Sequence, residues 1–276
     1  MKIAILGAGM LGTDLINTCQ QADDEIQVFK RPEFDICKQS ELETAIENCE
    51  VLVNCSAYTQ VDKAEEESEI AFEVNEHAVR NMAEICAQKN IYLIHISTDF
   101  VFNGEKTGPY TELDAAEAIN VYGASKLAGE NAILASDAEA AILRVQWSYG
   151  KAADNFVSKI TELASSRDEI SVVNDQFGCP TATTEIARAI RLLASKRATG
   201  IIHYAAEGSV SRYEFAKEIV EILNLGCTVL PCDSSKFLAP AKRPANSVFD
   251  CSLYDTYDSA KRKHWKTMLS DYLESI

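Results

Sequence analysis

The stretch MKIAILGAGMLG (residues 1–12) decides the fold of this chain. Its apolar run predicts a strand over Lys2–Leu6, and a Gly-x-Gly-x-x-Gly pattern then opens a helix over Met10–Gln20. The glycines permit a tight turn, let the backbone approach a pyrophosphate, and allow the helix to pack closely on the strand. Amides at the helix N-terminus then face the phosphates. This context predicts a dinucleotide site formed by Gly7, Gly9, Met10, Leu11 and Gly12.

Apolar strand patterns alternate with helical patterns through the first half of the chain. The strands are predicted at Lys2–Leu6, Ile26–Phe29, Val51–Asn54, Ile91–Ser97 and Ala140–Val145. The helices are predicted at Met10–Gln20, Gln39–Asn48, Glu65–Lys89 and Val121–Ala135. Strands separated by helices of this length predict an α/β fold, a Rossmann-like doubly wound parallel sheet with right-handed crossovers. We assign residues 1–150 to an NAD(P)-binding Rossmann domain.

The pattern loosens after Gly150. Helices are predicted at Asn155–Arg167, Thr183–Ser195, Arg212–Asn224 and Leu253–Leu273, and short strands at Glu169–Val173, Ile201–Tyr204 and Thr228–Pro231. Loops rich in Gly, Pro and Asp lie between them. We assign residues 151–276 mainly to a smaller C-terminal substrate-binding lobe, partly interleaved with the sheet.

Composition and charge exclude several classes of protein. No apolar run approaches the ~20 residues of a membrane span, and the four apolar residues before Gly7 are too few for a signal peptide. A formal net charge of −16 would repel a phosphate backbone, so nucleic acid is not an expected partner. The nine cysteines form no Cys-x-x-Cys pair and the four histidines add no zinc spacing, so we expect no metal site. A cytoplasmic protein with free thiols is expected.

The end of the second strand bears on the choice of coenzyme. An NAD site places Asp or Glu there, whereas this chain has Lys30-Arg31, which would bind a ribose 2′-phosphate. NADPH is therefore favoured, NADH is left open, and a solvated basic pair is the alternative. The next strand ends at Asn54, and the small residues after it, Cys55, Ser56 and Ala57, let a cofactor lie against the backbone.

Tyr122 and Lys126 form a Tyr-x-x-x-Lys pair on a predicted helix. The i, i+4 spacing places both side chains on one helix face. An ammonium beside a phenol favours the phenolate, so we expect Lys126 to lower the pKa of Tyr122 and make it a general acid/base. Thr98 stands at the end of the preceding strand, at the crevice where open sheets bind ligands.

These motifs together resemble an extended short-chain dehydrogenase/reductase. Along nearly its whole length the chain is similar to the dTDP-4-dehydrorhamnose reductase family. The segments that carry the similarity are NCSAYTQVDKAEEE (54–67), HISTDFVFNG (95–104), PYTELD (109–114), NVYGASKLAGE (120–130), RVQWSYG (144–150), NDQFGCPT (174–181), SRYEFA (211–216) and RPANS (243–247).

The resemblance implies a catalytic triad of Thr98, Tyr122 and Lys126. Hydride would pass from NADPH to the 4-keto carbon of a dTDP-linked 6-deoxysugar, Tyr122 would protonate the oxygen, and Lys126 would also bind the nicotinamide ribose. The implied substrate-binding residues are Thr59, Val61, Asp99, Trp147 and Arg243, with Arg243 at the diphosphate. Asp35 and Ile36 are assigned to the cofactor site together with Tyr122 and Lys126. A homodimer is compatible with the sequence.

Three positions depart from the family pattern, and of these Arg212 and Gln146 bear on the substrate. The family more often has Asp at Asn103, Trp at Arg212, and Thr-Ser where this chain has Val145-Gln146. Two other functions share much of the pattern. One is a non-catalytic regulatory subunit like that of methionine adenosyltransferase. The other is a different NDP-sugar reductase, epimerase or dehydratase, of which the epimerases retain their cofactor through a reaction cycle.

Overall fold

Twelve strands and ten helices make up the computed structural model, which describes residues 1–276. The strands are β1 (Lys2–Leu6), β2 (Glu25–Phe29), β3 (Val51–Asn54), β4 (Tyr92–Thr98), β5 (Ala140–Val145), β6 (Ser148–Tyr149), β7 (Glu169–Val173), β8 (Phe177–Gly178), β9 (Thr181–Ala182), β10 (Gly200–Tyr204), β11 (Val210–Ser211) and β12 (Thr228–Cys232). The helices are α1 (Met10–Gln21), α2 (Gln39–Ala45), α3 (Ser68–Phe72), α4 (Ala78–Lys89), α5 (Val121–Leu134), α6 (Phe156–Ser166), α7 (Thr183–Lys196), α8 (Arg212–Ile222), α9 (Ser252–Asp255) and α10 (Trp265–Glu274).

The central sheet has six parallel strands in the order β10-β5-β4-β3-β1-β2. The predicted fold class, a doubly wound parallel sheet, is confirmed. Every strand predicted in the first half of the chain forms, with bounds within one residue of the prediction. Because all six strands are parallel, their carboxyl ends meet at one edge, where ligands of open α/β sheets bind.

Alternate side chains of each strand pack against opposite layers of helices. Ile3 and Ile5 of β1 join α1 and α7 in one apolar cluster. Ala4 and Leu6 join α2, α4 and α5 in the other. The sheet is thus buried on both faces, which accounts for the near-continuous apolar strands in the sequence.

Residues beyond Gly150 contribute to two parts of the structure. A third apolar cluster gathers α6, α8 and α10 around the two-stranded parallel sheet of β7 and β12. In contrast, β10 is the sixth strand of the central sheet and α7 packs on α1. No helix has the combination of length and apolar character that crossing a bilayer requires.

Two helical predictions differ in kind from the structure, and a third helix, α2, ends three residues before the predicted Asn48. The single helix expected over Leu253–Leu273 is wrong, because only α9 and α10 are helical there. Between them the chain is held extended by Glu207, whose backbone accepts from Trp265 and donates to Lys263. Within the predicted helix Glu65–Lys89, a π-helical turn at Glu73–His77 separates α3 from α4.

Candidate active site

The turn between β1 and α1 has the shape that a bound pyrophosphate requires. Gly7 adopts a φ of 92°, in the left-handed region that favours glycine. A Cβ at Gly12 would lie 2.0 Å from the carbonyl oxygen of Gly7, so only glycine allows the helix to come this close. A Cβ at Gly9 would meet no atom within 4 Å, and Gly9 begins α1 without a side-chain cap. The first-turn amides of α1 are therefore accessible to an anion, and the turn fits a dinucleotide.

The loops after β2 and β3 lie beside this turn. A Cβ at Gly7 would be 2.6 Å from Oγ of Ser56, so the loop with Cys55, Ser56 and Ala57 touches the glycine turn. After β2, Lys30 and Arg31 are both exposed, and Arg31 forms an ion pair with Asp35 at 3.3 Å. The carboxylate of Asp35 also accepts from the backbone of Cys37, and mainly this bond lowers its pKa. Ile36 is buried in the core.

Thr98 and Tyr122 are placed by the ends of β4 and α5. Thr98 is the last residue of β4, and its hydroxyl donates to Asp99 at 3.1 Å and accepts from the amide of Phe100 at 3.2 Å. The side chain of Asn120 caps α5 by accepting from the amide of Gly123 at 2.7 Å. A Cβ at Gly123 would lie 2.1 Å from the carbonyl oxygen of Phe100, so only glycine brings α5 this close to the end of β4.

The predicted lowering of the Tyr122 pKa is wrong. Burial raises the pKa of Tyr122 to about 12, with a smaller opposing effect of the Thr98 hydroxyl. Lys126 does not offset this burial, because its Nζ donates to the carbonyl oxygen of Ile96 at 2.7 Å and lies 3.0 Å from Nε2 of His95. Tyr122 therefore holds its proton at neutral pH, which suits a group that donates it.

A line of polar contacts runs from the loop after β3 to Lys126. The amide of Ser56 donates to Oδ1 of Asn54 at 3.0 Å, and Nδ2 of Asn54 lies 3.0 Å from Nδ1 of His95. His95 in turn contacts Lys126. Burial, together with the charge of Lys126, holds the pKa of His95 well below its usual range. Burial also lowers the pKa of Lys126 to about 8.

The residues assigned to the substrate lie on four segments around this centre. Asp99 is buried next to Thr98, and burial raises its pKa to about 6. Trp147 follows β5 with a φ of 43°, a backbone conformation that residues other than glycine adopt rarely. Thr59 and Val61 lie on the loop after β3, next to Asp62.

Arg243 contacts that loop directly. Its Nη1 and Nη2 both donate to the carboxylate of Asp62, each at 2.6 Å. The predicted ligand of the diphosphate is therefore already paired with an acid of its own chain. The structure brings no three His, Cys, Asp or Glu side chains together as a metal site would need.

A buried ion pair connects the elements that carry Thr98, Tyr122 and Lys126. Arg144 of β5 donates to Glu130 of α5 through Nε at 2.9 Å and Nη2 at 2.6 Å. The hydroxyl of Ser97, one residue before Thr98, donates to the same carboxylate. Lys126 lies one turn before Glu130, so this cluster fixes α5 against β4 and β5 near the site.

A family model described as the RmlD substrate binding domain matches residues 1–276. The chain belongs to this family. The dTDP-4-dehydrorhamnose reductase of Sinorhizobium fredii is 36% identical over 279 residues, with 96% of this chain and 94% of the relative covered. A dTDP-4-keto-6-deoxy-D-glucose reductase of Streptomyces niveus is 31% identical, with 95% and 93% covered.

A solved structure from the same family gives a matching fold. The dTDP-4-dehydrorhamnose reductase of Bacillus anthracis in complex with NADP superposes with a TM-score of 0.96 at 33% identity, covering 100% of this chain and 99% of the other. The sequence prediction of this family is confirmed.

Sequence reasoning did not find the polar residues behind the triad, Asn54, His95, Glu130 and Arg144. Each is fully or almost fully buried. A signal was present, because His95 interrupts the apolar strand Tyr92–Ile96 and Arg144 interrupts the apolar strand Ala140–Val145. A polar residue in a strand buried on both faces must find a partner, and here that partner supports the site.

Proposed function

We propose that this protein reduces the 4-keto group of dTDP-4-dehydro-L-rhamnose to give dTDP-L-rhamnose, with NADPH as the reductant. The observation that carries the proposal is the placing of Thr98, Tyr122 and Lys126 at the carboxyl edge of the sheet, beside a glycine turn that fits a dinucleotide. The family and its NADP-bound member support the same reaction and coenzyme.

Tyr122, Thr98 and Lys126 each have a separate role in the proposed reaction. NADPH, when bound, supplies the hydride that forms the new C–H bond at C4. Tyr122 donates its phenolic proton to the carbonyl oxygen as negative charge develops there, which its raised pKa permits. Thr98 can rotate its hydroxyl from Asp99 to the same oxygen and hold it in place. Lys126, fixed by Ile96 and His95, holds the nicotinamide ribose with its remaining hydrogen-bonding capacity.

We assign residues 151–276 mainly to substrate binding, with α7 and β10 serving the sheet. The third apolar cluster supports this assignment, because α6 and α8 frame the region of Trp147 and Arg212. The Streptomyces niveus relative shows that the family includes reductases named for another dTDP-4-keto-6-deoxy sugar. That sugar is the second candidate substrate.

The purified protein should oxidise NADPH when it is given dTDP-4-dehydro-L-rhamnose. The measurement is NADPH absorbance over time, with dTDP-4-keto-6-deoxy-D-glucose as the second substrate and chromatographic identification of both products. Faster turnover of the second sugar would reassign the substrate within the family. Intact NADPH binding without turnover of either sugar would favour the regulatory-subunit function, and a protein that purifies with NAD bound would favour an epimerase.

The proposed contact of Lys30 and Arg31 with the 2′-phosphate can be tested by measuring coenzyme preference. Replacing Lys30 and Arg31 with Gln should weaken NADPH binding and leave NADH binding nearly unchanged, because only NADPH carries the 2′-phosphate. Each lost charge-assisted contact should cost about 1.5–3 kcal/mol. Both dissociation constants can be measured by fluorescence titration, with Lys38→Gln, another exposed lysine nearby, as the control. Equal effects on the two coenzymes would contradict a 2′-phosphate contact.

A further inference from the structure

The guanidinium of Arg212 lies against aromatic rings beside the proposed active site. Arg212 is the first residue of α8, and its amide donates to the carbonyl oxygen of Gln176 at 3.1 Å. Its guanidinium carbon lies 3.5 Å from the centroid of the Trp147 indole and 4.9 Å from that of the Phe156 ring. Stacking on Trp147 fixes the plane of the guanidinium and leaves its N–H groups to point outward from the edge.

Nothing in the chain accepts a hydrogen bond from this guanidinium, and it forms no ion pair. Eight of the other nine arginines pair with a carboxylate of this protein; they are Arg31, Arg80, Arg144, Arg188, Arg191, Arg197, Arg243 and Arg262. The ninth, Arg167, is exposed to solvent. Arg212 is therefore the one partly buried arginine that forms no ion pair.

Two charged residues of the site act on Arg212. Asp99, the buried acid next to Thr98, is near enough to stabilise its positive charge, and Arg243 is near enough to oppose it. Arg212 is thus near enough to Asp99, at the end of β4, and to Arg243 for their charges to act on it. Arg243 already donates from both Nη atoms to Asp62, which largely balances its charge. The guanidinium of Arg212 donates to no group of the chain, so its N–H groups remain available to an anionic ligand such as a diphosphate.

We propose that Arg212 binds the diphosphate of the nucleotide sugar. The proposal rests on the proposed function, since it takes a nucleotide sugar as the substrate. A guanidinium fork matches two oxygens of a diphosphate, and its preset plane limits the entropy lost on binding.

Binding of dTDP and of thymidine to two variants separates this role from packing. Arg212→Gln removes the charge, and Arg212→Trp also restores an aromatic surface against Trp147. Both variants should bind dTDP about 10- to 100-fold more weakly than the parent, as expected for losing hydrogen bonds to a charged group. Thymidine, which lacks phosphate, should bind all three proteins equally. Calorimetry gives these constants without turnover, and Arg167→Gln is the matched control.

Two outcomes would overturn the proposal. If Arg212→Trp binds dTDP as the parent does, the arginine only packs on Trp147. If both variants bind dTDP normally but show a raised KM for the dTDP-sugar, the guanidinium contacts the sugar. An unchanged affinity for NADPH shows that the variants are folded. Failure of the proposed function would appear separately, as absence of NADPH oxidation by the parent.

Discussion

Replacing Tyr122 with Phe should lower kcat by about 10²- to 10⁴-fold, the usual contribution of general acid catalysis. The variant keeps the aromatic ring, whose edge-on contact with Phe100 has a centroid distance of 5.6 Å, and loses only the hydroxyl. The phenol is the side chain that the structure keeps protonated beside Thr98, with a pKa of about 12. Without it, the oxygen at C4 would have to take its proton from water.

The effect should be confined to the chemical step. NADPH affinity should barely change in Tyr122→Phe, because Lys126 is the proposed ribose ligand, whereas Lys126→Met should lose both rate and affinity. The measurements are the rate at saturating substrate and a fluorescence titration of NADPH. Tyr257→Phe is the matched control, since Tyr257 is partly buried against the core and its hydroxyl makes no hydrogen bond. A Tyr122→Phe variant retaining more than about a tenth of the parental rate would exclude Tyr122 as the proton donor.

Local patterns predicted the central sheet almost residue by residue. A strand buried on both faces appears in sequence as a short apolar run between glycines or polar residues, as in Val51–Asn54 and Ala140–Val145. The non-helical segment between α9 and α10 could not be predicted from local patterns. It is held extended by hydrogen bonds to the backbone of Glu207, which lies nearly fifty residues earlier in the chain. Pairing with a distant backbone leaves no local signal.

In the candidate site too, the features set by neighbouring residues were predictable and those set by distant residues were not. The glycine turn and the pair Tyr122 and Lys126 are short-range motifs, so the sequence located them correctly on their elements. The direction in which Lys126 points depends on His95 and Ile96, thirty or more residues away. Spacing on a helix specifies a shared face and not a shared hydrogen bond. For this reason the sign of the Tyr122 pKa shift could not be obtained from the motif.

Glu130→Gln should reduce the free energy of unfolding by about 3–5 kcal/mol, because it leaves Arg144 as an uncompensated buried charge. The two side chains are 1% and 2% exposed, so water cannot replace the lost carboxylate. Gln can keep some hydrogen bonds to Arg144 and Ser97, but it cannot balance the cation. Since a whole domain is stable by only about 5–15 kcal/mol, the loss should be visible as a large shift of the urea midpoint.

A second pair provides the control for that experiment. Glu139 and Arg197 also pair through their side chains, but each is 46% exposed, so Glu139→Gln should cost no more than about 1 kcal/mol. The double variant Glu130→Leu/Arg144→Met should recover much of the stability lost by Glu130→Gln, since it removes both buried charges. Equal destabilisation by Glu130→Gln and Glu139→Gln would show that the Glu130–Arg144 pair does not hold α5 against β5. In that case the position of Tyr122 and Lys126 would depend on the cap at Asn120 and on the close contact at Gly123.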